Sequence, residues 1–309
     1  MKKIMGVCCI LLLFLTSCSY IPKFWQTTDT ESGDDIKVEF VTYPEKELIE
    51  DEQFAIKTRV TNYNTAAGVD GTVCIYDFVP KSLGGIPEGS CSPVIVERAD
   101  EIEDQIYEKR DEQVFAGPFS YTNLRKNQPY TTNIAAMFSY VVESEHFAQQ
   151  VCVKLSDEVR TSSDCERVQT FTSLKQPKTP LQVTEVTSRA SPSPSKNGEV
   201  ALHVNVIIKK EEDGNVASIE DLDKLISVSP MVDVNVAYAD TTLTCTGLRS
   251  GRLMFSEDKA QVSCRGNVLI PASSQSLSDS LVVTLRYGFQ KVVETPSIKL
   301  VPNEEDLIA

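Results

Sequence analysis

Two kinds of side chain with real chemical potential stand out in the body of this sequence: six cysteines and two histidines. The cysteines are Cys74, Cys91, Cys152, Cys165, Cys245 and Cys264, an even set once Cys8, Cys9 and Cys18 at the N-terminus are put aside. An even set in an exported chain reads as disulfides. The short spacings favour the local pairs Cys74–Cys91, Cys152–Cys165 and Cys245–Cys264, each within one expected domain. Metal binding fits poorly. There is no Cys-x-x-Cys, and His146 and His203, the two histidines, lie far apart in sequence, so no metal site is expected. Nucleophilic catalysis needs a base beside the nucleophile, usually a histidine. His203 falls mid-strand on a polar face, and His146 falls in what reads as a Glu-rich turn between Glu143 and Glu145; both read as surface or structural histidines. The acidic run Glu211-Glu212-Asp213 sits where a hairpin turn is expected and lacks the alternating ligands of a calcium loop. With one Trp to stack on sugar rings, a paired-carboxylate glycosidase is a poor fit. No phosphate-binding glycine loop, Gly-x-Ser-x-Gly or His-Glu-x-x-His occurs. The expectation is a protein without cofactor and without catalysis.

The chemistry the sequence does assign is at its start. Met1-Lys2-Lys3 is cationic and residues 4–15 are almost unbroken apolar. That run is too short for a spanning helix, which needs roughly 20 apolar residues, but suits the middle of a secretory signal. Leu15-Thr16-Ser17-Cys18 follows directly and resembles the lipobox of prokaryotic lipoproteins. The resemblance implies that residues 1–17 are removed and that Cys18 receives a diacylglycerol and becomes the mature N-terminus. Two acyl chains anchor firmly, since each buried methylene contributes about 0.8 kcal/mol. An uncleaved N-terminal anchor is the competing reading, and either one places residues 19 onward outside the cytoplasmic membrane. Residues 18–35 read as a lipidated flexible tether, with Phe24 and Trp25 near the membrane.

Charge narrows the partners. The whole chain carries −14. Without residues 1–17, which include Lys2 and Lys3, it has 28 basic against 44 acidic side chains and is near −16. Phosphates would be repelled, so neither nucleic acid nor an anionic lipid surface is expected as a partner.

The elements carrying these residues read as strands. Val38 and Phe40 alternate, as do Phe54, Ile56, Thr58 and Val60. In the second half Val200, Leu202, Val204, Val206 and Ile208 share one face. Val232, Val234, Val236 and Tyr238 repeat the pattern, and Leu281, Val283, Leu285, Tyr287 and Phe289 do so again. Period-two alternation broken by turn residues predicts antiparallel sandwiches. Residues 98–112 are a charge run that reads as a solvated loop or frayed helix, or as a docking surface for a basic partner. Strands are expected at residues 114–121, 130–142 and 149–155, with Cys152 off the core face. Ser218-Ile219-Glu220-Asp221 resembles a capping box ahead of an apolar stripe (Ile219, Leu222, Leu225, Ile226), which predicts a short helix. Residues 174–180, with two prolines and two lysines, read as an extended linker. The expectation is all-β: Ig-like sandwiches in tandem over 36–173 and 181–302, then an acidic tail at 303–309.

The opening of the first domain also resembles a family. Val38-x-Phe40, Tyr43-Pro44, Glu50-Asp51-Glu52-Gln53-Phe54 and Val60-Thr61-Asn62-Tyr63-Asn64 are similar to Ig-like surface modules of the CARDB (cell-adhesion-related) type. Cys74 and the insert after it depart from that pattern, so the resemblance implies fold class, and surface binding or spacing, but no catalytic residue. The function expected is a membrane-anchored surface lipoprotein that binds or spaces a protein partner. A structural component of an envelope or virion assembly, and an envelope hydrolase, are the competing readings.

Overall fold

The computed structural model describes residues 35–125, 128, 130–155, 165–192, 198–225, 229–256 and 258–303. Cys18, the signal and nearly all of the tether fall outside them, as do residues 304–309 of the tail. The described chain is built of strands. In the first half these are β1 (Ile36–Thr42), β2 (Glu47–Ile49), β3 (Phe54–Asn62), β4 (Val69–Asp77), β5 (Cys91–Val96), β6 (Asp100–Ile102), β7 (Gln105–Tyr107), β8 (Lys109–Phe119), β9 (Tyr130–Thr132), β10 (Ile134–Lys154) and β11 (Val168–Phe171). In the second they are β12 (Leu181–Pro192), β13 (Glu199–Lys210), β14 (Asn215–Ala217), β15 (Met231–Tyr238), β16 (Thr241–Thr242), β17 (Thr244–Thr246), β18 (Leu253–Met254), β19 (Lys259–Leu269), β20 (Ser276–Glu294) and β21 (Ile298–Val301).

The periodicity that defined these strands also sets their burial. Val200, Leu202, Val204, Val206 and Ile208 of β13 are buried, and so are Leu281, Val283, Leu285, Tyr287 and Phe289 of β20. Each such side chain contributes on the order of 1.5–3 kcal/mol of transfer free energy.

Two long strands organise the whole. β10 and β20 pair antiparallel from Ala135↔Glu294 to Lys154↔Ser276, with a register shift between Ala148 and Val151. They are the centre of a sheet ordered β16-β15-β20-β10-β4-β5. β4 flanks the first part of β10, and β15 flanks the middle of β20. The sheet β1-β3-β8 packs on one end through β1, against β10 and β20. The five-stranded sheet β11-β12-β13-β19-β17 packs on the other through β12 and β13, against β10. The result is two sandwiches that share one sheet.

The tandem organisation expected from the sequence is therefore corrected. Asp34–Ala309 is one contact unit, because β10, from one side of the expected linker, pairs along its length with β20, from the other. The C-terminal strand also crosses back: β21 pairs parallel with β2 and antiparallel with β9. Residues 174–180 are a docked segment, since Phe147 and Lys175 exchange backbone hydrogen bonds at 2.9 and 3.1 Å.

Three local expectations also change. Beyond the short β9, the two strands expected at 130–142 and 149–155 run together as β10, because Glu143 and Glu145 are the exposed half of an alternation whose inward half is Val142, Ser144, His146 and Ala148. The charge run holds a hairpin, β6–β7, followed by the start of β8. Where the expected helix is described, it is a single 3-10 turn, Ile219–Asp221; Ile226 of the expected stripe lies outside the described residues. There the Asp221 carboxylate accepts from the Ser218 hydroxyl and from the Ser229 amide, which closes the chain on itself where a helix would continue. This segment covers the outer face of β20: an added Cβ at Gly288 would come within 2.5 Å of Leu222 Cδ2, and Gln290 Nε2 donates to the Leu222 and Lys224 carbonyls.

Disulfides join Cys74 to Cys91, Cys152 to Cys165 and Cys245 to Cys264. The first and third link directly opposed residues of neighbouring strands. Cys152 faces away from the core side that Val151 and Val153 share, as expected, yet it is buried, covered by its bond to Cys165 and by Gln169, whose side chain exchanges two hydrogen bonds with the Cys152 backbone.

Candidate functional site

Asp35, the first described residue, is buried. Its carboxylate accepts from Lys178 Nζ at 2.6 Å and from Asn64 Nδ2 at 3.0 Å, and its carbonyl accepts from the Tyr63 amide at 2.7 Å. The last residue expected in a free tether is thus clamped between the β3–β4 loop and the docked segment.

Next to the clasp is a cleft of about 450 Å³ lined by Asp35, Asp70, Tyr140, Glu143, Lys178 and Glu212 among others. Glu212 lies in the turn between β13 and β14. The sequence places a hairpin turn there, but the segment carries the chain from one sheet to the other, and Glu212 is buried. Glu212 Oε2 lies 3.2 Å from Lys291 Nζ of β20, with the two side chains 3% and 7% exposed. A buried lysine on the inward face of a core strand needs such a partner, because an isolated buried charge costs several kcal/mol. No sequence signal linked these two residues, which lie in separate elements.

The histidines part company. His203 is exposed on β13. His146 is 1% exposed on the inward face of β10, not in a turn. Its Nδ1 lies 2.6 Å from Gln176 Oε1 and its Nε2 lies 2.9 Å from Ser144 Oγ. The Val183 amide also donates to Gln176 Oε1, so that oxygen is an acceptor and Nδ1 carries the proton. Nε2 is then the acceptor of the Ser144 hydroxyl. A Ser-His-Gln series in this order has the outline of a nucleophile, a base and an orienting group. Here, however, Ser144 is itself buried. The arrangement fastens the 174–180 segment to β10.

Burial lowers the His146 pKa, and the Gln176 hydrogen bond only partly opposes this. The neutral ring therefore belongs to the folded state, while the unfolded chain protonates near the ordinary value of about 6.5. Below that pH the unfolded state binds more protons, so this group's contribution to stability is complete above about pH 6.5 and is lost as pH falls toward its depressed folded value. Urea midpoints measured at pH 7.5 and pH 5.5 should fall further for the wild type than for His146→Gln. Equal falls would refute the assignment.

A second concavity, about 590 Å³, runs along the end of β4 and the following turn, past Tyr76, Asp77, Phe78, Gly85 and Ile86. Asp77 lines it together with Lys81 and Glu88. The Asp77 carboxylate accepts from the Ile86 amide at 2.8 Å and from the Tyr121 hydroxyl at 3.1 Å. Burial pushes the Asp77 pKa up, against the pull of these donors, and pushes the Tyr121 pKa up as well. An added Cβ at Gly85, where φ is +89°, would meet Asp77 Oδ2 at 2.1 Å. The bare backbone there lets the turn fold over the carboxylate. These bonds tie the turn to the sheet.

Among the described residues, no group of three or more His, Cys, Asp or Glu side chains is arranged to hold a metal ion, and no helix is long and apolar enough to cross a membrane. No family model matches the sequence, and no curated protein matches it significantly.

Proposed function

We propose that this chain is a lipid-anchored, exported protein that binds or spaces a protein partner and does no covalent chemistry. It is held through Cys18 at the outer face of the cytoplasmic membrane or of another envelope membrane. The observation that carries the reading is Leu15-Thr16-Ser17-Cys18, directly after a cationic start and an apolar run. Supporting it are three disulfides, which persist in oxidising compartments. The Asp35–Lys178 clasp adds support, as it suits a body held by its N-terminal end. His146 supports the non-catalytic part, since its ring nitrogens are committed to the buried Ser144 and to Gln176 of the docked segment. The CARDB-like opening, in β1 and β3, agrees with a surface-module role.

The intact mass of the mature N-terminus, taken from host membranes, tests this. A diacylglyceryl group on Cys18, together with release of a Cys18→Ser variant from the membrane fraction, is the expected result. A chain still beginning at Met1, or an unmodified Cys18, refutes it.

A further inference from the structure

Among the described residues, the hairpin β6–β7 pairs with no other strand. Its two strands pair only with each other, Asp100↔Tyr107, Glu101↔Ile106 and Ile102↔Gln105, and all six of these residues are exposed. An isolated two-stranded hairpin is at best marginally stable in water, yet this one is held firmly at its root. Asn62 Nδ2 donates to the Glu97 carbonyl at 3.0 Å, the Ala99 amide donates to the Asn64 carbonyl at 2.8 Å, and Lys109 pairs with Asp100 at 2.6 Å.

What it presents is unusual for a solvated strand pair. Ile102 is 56% exposed, Ile106 53% and Tyr107 48%. Opposed residues share a face, so Ile102 and Tyr107 lie on one side of the hairpin and Ile106 on the other. Both faces therefore carry uncovered apolar surface. The turn is Glu103-Asp104, with φ of 51° and 63°. The basic side chains at the root, Lys109 and Arg110, pair with Asp100 and Glu108, while Glu101, Glu103 and Asp104 give the tip its negative charge.

We infer that this hairpin is a finger that inserts into an apolar cleft, rimmed by Lys and Arg, on a folded protein partner. The inference rests on the binding reading above and names its surface. Apolar side chains on both faces suit a cleft better than a flat epitope, and the acidic tip requires a cationic rim. A second copy of the chain fits badly because both copies are strongly acidic. A bilayer fits badly because the carboxylates at the tip would enter it first. The fixed root lowers the entropy lost on docking.

The test places p-benzoylphenylalanine at Ile106 and, for comparison, at Leu269, another exposed apolar position on a separate sheet, in cells that make the full chain. Irradiation should join position 106, and not 269, to one protein through a Lys/Arg-rich peptide. The purified pair should then bind at least about tenfold more weakly with Ile102→Ser/Ile106→Ser, and similarly with Glu103→Lys/Asp104→Lys. The binding should also weaken as salt is raised, since the charged rim is screened. The substituted side chains are exposed, so both double variants should keep the wild-type unfolding midpoint, and retention of full affinity by either one overturns the inference. An adduct at 106 with lipid or with a second copy overturns it, as does a partner captured only at 269; in this last case the binding reading survives. Absence of adducts at both positions overturns this inference and counts against the binding reading too.

Discussion

Lys291→Met should destabilise the protein by about 3–5 kcal/mol, the cost of leaving a buried charge without its counter-ion. Lys291 and Glu212 meet at 3.2 Å on the inward side of β20, with both side chains almost fully buried. Restoring charge balance with apolar groups should recover most of the loss, so Glu212→Leu/Lys291→Met should be much closer to the wild type than the single variant is. Urea denaturation of the four proteins in this double-mutant cycle measures both effects. A loss below about 1 kcal/mol for Lys291→Met would mean that the pair is solvated, contrary to its burial.

The second large effect tests the shared sheet. Phe289 is fully buried. Its ring lies 5.9 Å from that of Tyr140 on β10, edge to face, and Gly214 passes so close that an added Cβ would come within 2.6 Å of it. Phe289→Ala should cost about 3–5 kcal/mol through lost burial and the cavity left behind. Two independent domains would confine that loss to the second. With β10 and β20 common to both sandwiches, amides of β3 and of β13 should lose hydrogen-exchange protection together, in one cooperative unit. Loss of protection in β13 with β3 unchanged would restore the tandem picture.

The sequence was most informative where a pattern is local. Alternation at period two marks the buried face of β13 and β20 because a strand side chain has only two directions to point. The cysteine pairs lie close in sequence, and two of them bridge opposed residues of adjacent strands. Misreadings arose where one local pattern serves two structures. Glu143 and Glu145 look like a turn, yet they are the wet side of a strand whose dry side carries His146. Ser218 and Asp221 look like a cap, yet their side chains bond to each other and stop the helix.

By its order of residues alone, then, this chain determines its all-β character, its core-facing positions and its acidic surface, and it carries the lipobox-like Cys18. All of these depend on residue type and short-range spacing. Only the tertiary structure decides that the halves share a sheet, that Glu212 pairs with Lys291, that Gln176 caps His146 and that the 100–107 segment projects as a hairpin. Those features join residues many positions apart, or depend on which face is left uncovered. Strand pairing selects such partners through the packing of the whole chain, and no single stretch of sequence specifies it.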